Sequence, residues 1–216
     1  MSRHFAGSSD LRSSVVLKLG MNPWKTIWTT PRKTIRTLAD FSPKVGFYYL
    51  ASTFFLDAFF FFNSYLHIAL SYKLAITILM AAILSPVLGA VWFYLFSWVA
   101  LWIGKLFQGK ATAAQLSCAF AWSKAPLLIN LLMWLCFVAF SPSLIFLEQL
   151  KSFTIFFMYL ILAIGAFWSL ILAVIGFSEV EQISVIKAFF LLVIIYFLFA
   201  GVITGGFFIV KLFFKF

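Results

Sequence analysis

The chain contains very few charged residues. Only 10% of its 216 residues are Asp, Glu, Lys or Arg, whereas a water-soluble domain contains about a quarter. Hydrophobic residues make up 64% of the chain and include 30 phenylalanines. So little polar surface cannot coat a soluble globule, which excludes the water-soluble classes of protein. We therefore expect lipid to be the solvent for most of the chain.

Residue types that bind metals or perform catalysis are also scarce. The sequence has two histidines and two cysteines, and none of them clusters with carboxylates at the spacing of a zinc site. Cys118 and Cys136 lie among apolar or small residues, so we expect no disulfide. The sequence shows no nucleophile beside a base, no phosphate loop and no metalloprotease helix. These absences predict a protein that is not an enzyme, with no cofactor and no bound metal.

Long apolar runs fill most of the chain after residue 44. They predict an all-α membrane protein, with about five transmembrane helices in residues 45–212 and a short basic arm in residues 1–44. Ser42 followed by Pro43 is typical of a helix start, because Ser favours the N-cap and Pro the first helical position. The expected spans are 45–69, 74–103, 126–147, 152–177 and 184–210, and Ser184 is the expected N-cap of the last.

Basic residues are distributed unevenly between the two sides of this layout. Twelve of the sixteen lie in the arm or in the connections on its side of the membrane, and four lie on the other side. The positive-inside rule then predicts a cytoplasmic N-terminus and an external C-terminus. The net charge of +10 is concentrated next to the first span. We therefore expect it to face anionic lipid headgroups and not nucleic acid.

The arm contains two short helical units, each with a proline at its start. Asn22-Pro23 opens the first and Thr30-Pro31 the second, and in each unit apolar residues share one face among basic residues. This pattern fits a helix that lies in the membrane interface, and equally a helix packed on the cytoplasmic ends of the bundle. The candidate lipid-surface residues are Trp24, Trp28, Arg32, Lys33 and Arg36.

A polar stripe follows one face of the first predicted span. The residues that recur there at helical spacing are Thr53, Asp57, Ser64, His67 and Ser71, and Asp57, Ser64 and His67 are the candidate site residues among them. Such residues normally face a bundle interior or a water-filled cavity. One interpretation is a hydrogen-bonded packing face, and the other is the proton or ion path of a small transporter or channel. No other span offers a carboxylate or a cation at matching depth, which favours the packing interpretation.

Two further features concern the last two spans. Glu179 and Glu181 fall in the predicted turn between the fourth and fifth spans, where they can pair with basic residues of the arm. Gly201 and Gly205 form a GxxxG motif in the fifth span, which permits close approach of two helices. We expect this motif to serve packing within the chain, with oligomer formation as the alternative.

Four stretches, taken in order, resemble the Yip domain family, the polytopic membrane proteins named for interacting with Ypt/Rab GTPases. They are PRKTI at 31–35 with Pro43, residues 105–126 ending in GKATAAQLSCAFAWSKAP, FWSL at 167–170, and GFSEV at 176–180 followed by Ile183-Ser184 and Lys187-Ala188.

The resemblance implies a five-helix bundle with a cytosolic N-terminus. For eukaryotic relatives it implies roles in vesicle transport, membrane shaping and contact with prenylated small GTPases. Those relatives usually carry a longer, often acidic N-terminal region, whereas the arm here is short and basic, as in the bacterial branch. We therefore expect a protein of the bacterial inner membrane that organises lipids or an unidentified protein partner. A small transporter or channel that uses the polar stripe is the alternative.

The expected orientation can be tested by cysteine labelling of intact cells. In a background with Cys118 and Cys136 replaced by Ser, a cysteine placed beside Lys215 should react with an impermeant maleimide from outside. A cysteine placed beside Arg3 should react only after permeabilisation. Labelling of both ends from the same side would mean an even number of spans.

Overall fold

The computed structural model describes residues 21–66, 74–140 and 153–214. Within these ranges all regular secondary structure is α-helical, which confirms the predicted all-α class. The eight helices are α1 Pro23–Thr29, α2 Pro31–Phe41, α3 Phe47–Leu66, α4 Leu74–Leu106, α5 Ala113–Ser123, α6 Leu127–Phe140, α7 Phe153–Glu181 and α8 Val185–Phe214.

Several of these helices have the length and apolarity of membrane spans. Three pass both tests in the described ranges, namely Ile78–Leu106 in α4, Phe156–Glu181 in α7 and Val185–Val202 in α8. The pair α5 and α6, bent by 45°, counts as a fourth if it forms one broken span. The apolar part of α3, Phe47–Phe62, is shorter. The protein is therefore a multi-pass membrane protein, and the predicted number of about five spans is approximate.

The first span does not begin where the sequence predicted. Ser42 is the C-cap of α2 and not the N-cap of the next helix, and its N–H donates to the carbonyl oxygen of Leu38 at 2.8 Å. Pro43 lies in the turn that follows, and α3 begins only at Phe47.

The shape of this turn depends on a contact with α5. The indole N–H of Trp122 donates to the carbonyl oxygen of Val45 at 3.0 Å. Gly46 has φ +70°, which favours glycine, and a Cβ there would lie 3.1 Å from the Trp122 ring. A tertiary contact therefore delays the helix start, and the local Ser-Pro signal does not reveal it.

A second difference is α5 itself, which lies in the predicted connection between the second and third spans. Thr112 and Gln115 form a capping box at its start, and every residue from Leu116 to Ser123 is buried. A helix that is apolar or small all round belongs in a protein core. At eleven residues it is too short to be recognised as a span.

The other helix boundaries follow the sequence more closely. The N-caps predicted at Asn22 and Ser184 are confirmed, since their side chains accept hydrogen bonds from the N–H groups of Trp24 and Lys187. Thr30 precedes α2, but its side chain makes no capping bond. Helix α7 continues four residues beyond the predicted end of its span, so Glu179 and Glu181 lie in its last turn and not in a loop.

The arm helices pack against the bundle. Helix α2 contacts α5 and α7, and Ile27, Ile35 and Leu38 have no exposed surface. A Cβ on Gly176 of α7 would lie 3.0 Å from the Ile35 side chain, so the small residue permits this docking. Of the two interpretations of the arm, the packed helix is therefore confirmed.

Helices α3 and α4 cross at a glycine. A Cβ added to Gly89 would collide with the backbone carbonyl of Ala51. Gly201 and Gly205 of α8 differ, because no atom of the described residues lies within 4 Å of a Cβ built on either. The intrachain packing expected of this GxxxG motif is therefore not seen in that part of the chain.

These two environments give a matched pair of substitutions. We expect Gly89→Ala to lower the free energy of unfolding by about 1–3 kcal/mol, because the new methyl group meets backbone that cannot rotate away. Gly201→Ala should be neutral or raise it by up to about 1 kcal/mol, because Ala is the better helix former. Unfolding of both variants in the same detergent checks this, and equal stability of the two would contradict the close crossing.

Candidate functional site

Asp57 lies near the middle of α3 and lines a cleft between α3, α6 and α7. Its Oδ1 accepts a hydrogen bond from the indole N–H of Trp134 at 3.2 Å. The cleft has a volume of about 570 Å³, a size typical of small-molecule sites. We call it the Asp57 cleft, and its walls are formed by Phe54, Asp57, Ala58, Phe61, Phe62, Asn130, Trp134, Tyr159, Leu162, Ala163 and Ala166.

Asn130 is the second polar group of the Asp57 cleft. Its Nδ2 donates to the carbonyl oxygen of Leu162 at 3.1 Å, which joins α6 to α7. Its Oδ1 is buried and has no hydrogen-bond partner in the described ranges. A Cβ on Gly165 would collide with this amide, so the glycine makes room for Asn130.

The described ranges contain only part of the rest of the predicted polar stripe. Thr53 is buried and donates to the carbonyl oxygen of Tyr49 at 2.9 Å, a bond within its own helix. Ser64 belongs to the last turn of α3, and His67 lies outside the described residues. A continuous proton path from Asp57 to His67 therefore stays a prediction.

Lys124 falls in the predicted connection between the second and third spans, residues 104–125, but it lies inside the bundle. Only 4% of it is exposed. Its Nζ donates to Ser169 Oγ at 3.2 Å and to the Tyr196 hydroxyl at 3.5 Å, and lies 4.5 Å from the centre of the Phe120 ring. The expectation that no interior cation accompanies Asp57 is therefore corrected. The small and apolar residues on both sides of Lys124 were the available signal.

The arm presents a second candidate surface. Lys25, Arg32 and Lys33 are exposed, and Trp24 and Trp28 keep 39% and 40% of their surface exposed. The Trp24 ring also packs on Trp122, with 4.8 Å between ring centroids. We call these five residues the arm surface. The arm surface thus presents three basic side chains and two indole rings, on helices whose apolar faces are buried against the bundle.

Arg36 forms ion pairs with two acidic residues, Glu179 and Asp40. Its Nη1 lies 3.2 Å from Glu179 Oε1, and its Nε lies 3.7 Å from Asp40 Oδ2. Asp40 in turn accepts a hydrogen bond from Gln115 of α5 at 2.9 Å. The predicted pairing of the arm with the acidic end of α7 is thus confirmed for Arg36 and Glu179, and its exposed position makes it a weak contribution to stability.

Glu181 does not reach the arm. It is almost fully buried, and its Oε2 accepts a hydrogen bond from the backbone N–H of Ala111 at 3.1 Å. A Cβ on Gly104 or Gly109 would collide with its carboxylate, so the turn that connects α4 to α5 closes around it. Glu181 therefore acts as an internal tie between the end of α7 and that turn.

Comparison with known proteins now decides the family. Residues 25–206 match the Yip1 domain, which covers the arm helices and all the helices of the bundle up to most of α8. The chain belongs to the Yip1 domain family. Proteins of this family are membrane proteins, generally non-enzymatic, that contact the membrane and proteins such as Rab GTPases. No curated protein and no solved structure matches the chain.

The hydrogen bond at Asp57 predicts how substitutions behave. Asp57→Asn should be mild, because the amide still offers an oxygen to Trp134 without a charge to bury. Asp57→Leu should lower the free energy of unfolding by about 1 kcal/mol, since the indole N–H then loses its acceptor. Unfolding in detergent measures both. In a Trp134→Phe background the extra cost of Leu should disappear, and its persistence would show that this hydrogen bond is not the cause.

Proposed function

We propose that this Yip1 family protein is a non-enzymatic organiser of the inner membrane of a bacterium. In this proposal the N-terminus is cytoplasmic, and the arm surface gathers anionic lipids around the bundle. The observation that carries the proposal is the exposure of Lys25, Arg32 and Lys33 on helices whose apolar side is already buried. An unidentified protein partner with an acidic surface would meet the same face.

The energetics support a lipid-binding role. Each basic residue near an anionic membrane surface contributes about 1 kcal/mol. Because the arm is docked on the bundle, it pays little ordering entropy when headgroups bind. The half-exposed rings of Trp24 and Trp28 suit the headgroup region, where amphipathic aromatic residues concentrate. Arg36 contributes less than the others, because Glu179 and Asp40 offset its charge.

Lipid binding to the full chain in detergent tests this proposal. Native mass spectrometry should show a preference for phosphatidylglycerol over phosphatidylcholine, and the preference should fall with salt. The triple variant Lys25→Gln/Arg32→Gln/Lys33→Gln should lose roughly fivefold in affinity for each charge removed.

The matched control removes three exposed charges from other elements, as Lys105→Gln/Lys110→Gln/Lys187→Gln. It should retain most of the preference for phosphatidylglycerol. Equal losses in the two triple variants would mean that net charge alone attracts the lipid. No preference in the parent chain would refute the proposal.

A small transporter or channel is the second candidate function. The observation that favours it is the presence of two ionisable side chains within the bundle, Asp57 beside a cleft and Lys124 among aromatic rings. Proton and ion flux into vesicles that contain the purified chain tests it. Flux that Asp57→Asn abolishes and Asp40→Asn leaves intact would establish transport, whereas we expect no flux above that of empty vesicles.

A further inference from the structure

The Asp57 cleft has the chemistry of a ligand site. It joins one carboxylate to an aromatic wall formed by the side chains of Phe54, Phe61, Phe62, Trp134 and Tyr159. On its α7 side, the small side chains of Ala163 and Ala166 lie beside Tyr159 and Leu162 and leave space for a ligand. A carboxylate surrounded by aromatic rings attracts an organic cation, because the ring faces carry negative charge and stabilise a positive group near them.

The carboxylate has no ion-pair partner within the described parts of the chain. No basic side chain there lies within 4 Å of it. Lys124 is close enough to interact with Asp57 electrostatically, but its Nζ is held by Ser169 and Tyr196 over the Phe120 ring. Trp134 supplies one hydrogen bond, and the Asn130 amide is close enough to interact with the carboxylate as well, but neither group carries a positive charge that would neutralise it.

Asn130 is the other polar side chain of the same wall, but its oxygen is not open to the cleft. Its Oδ1 is buried without a hydrogen-bond partner in the described ranges and lies against Gly165, which does not line the cleft. The Asn130 amide is close enough to Asp57 to interact with the carboxylate. Among the residues that line the cleft, Asp57 alone is charged, which selects a ligand with a positive group and disfavours an anionic one.

The position of the cleft limits the route of entry. Asp57 is ten residues into α3, which places it about 15 Å along the helix axis from Phe47. That is about half of the hydrocarbon thickness of a bilayer. A ligand that reaches it from the lipid needs an apolar body as well as a cationic group.

We propose that the Asp57 cleft binds an amphiphilic ammonium cation, with the ammonium group at Asp57 and the apolar body along the aromatic wall. This site is independent of the arm surface and of the proposed lipid-organising role. Two sources share this chemistry, a free lipophilic amine and the ethanolamine headgroup of a lipid. The depth of Asp57 favours the free amine.

Binding to the full chain in a maltoside detergent tests the site with three probes. They are dodecyltrimethylammonium, lysophosphatidylethanolamine and the neutral dodecanol. We expect dodecyltrimethylammonium to bind by isothermal titration calorimetry, with Asp57→Asn weakening it at least about tenfold. The matched control Asp40→Asn removes an exposed carboxylate and should leave the affinity unchanged.

A second variant distinguishes loss of the binding site from misfolding of Asp57→Asn. Ala166→Phe fills the cleft without changing charge, and it should abolish binding while the chain keeps its helical circular dichroism. Asp57-dependent binding of lysophosphatidylethanolamine in place of the free amine would assign the ammonium site to a lipid headgroup. Binding of dodecanol as strong as that of the cation, or cation binding that survives both Asp57→Asn and Ala166→Phe, would overturn the proposal.

Discussion

The burial of α5 within the bundle is the constraint on which the other elements depend. Phe120 stacks on Phe96 of α4 with 3.8 Å between ring centroids, and Trp122 holds the turn that starts α3. Gln115 binds Asp40 of the arm, and the turn before α5 encloses Glu181 of α7. A helix of eleven residues thus joins the arm, the first two apolar helices and the end of α7. The arm surface owes its fixed position to this core.

The few buried charged side chains lie in surroundings of low polarity, which explains why polar groups or aromatic rings contact each of them. In lipid or in a protein core, a polar group without a partner is costly. Lys124 is met by two hydroxyl groups and an aromatic face, and Glu181 by a backbone N–H in a glycine-rich turn. Glu181 Oε1 has no hydrogen-bond partner in the described ranges. Asp57 accepts from the Trp134 indole, lies close to the Asn130 amide, and lines the cleft between α3, α6 and α7, which is why we assign a ligand site to it.

Much of the fold could be predicted from apolar runs and local signals, and the exceptions share one cause. The apolar spans and the caps at Asn22 and Ser184 follow from single segments of sequence. The late start of α3, the burial of α5 and the interior position of Lys124 depend on contacts between segments far apart in the chain. For the arm, the apolar face predicts an amphipathic helix but does not show whether protein or lipid covers that face. The structure shows that protein covers it, because Gly176 of α7 leaves space for the Ile35 side chain.

We infer that the arm is a fixed part of the bundle and holds its basic residues in place before lipid binds. Hydrogen exchange of the α2 amides, residues 31–41, in neutral phosphatidylcholine nanodiscs tests it most directly. We expect slow exchange, close to that of α5, and little further protection when phosphatidylglycerol is added. Fast exchange in neutral nanodiscs that becomes slow only with anionic lipid would contradict it, because the arm would then be ordered by the membrane surface and not by the protein.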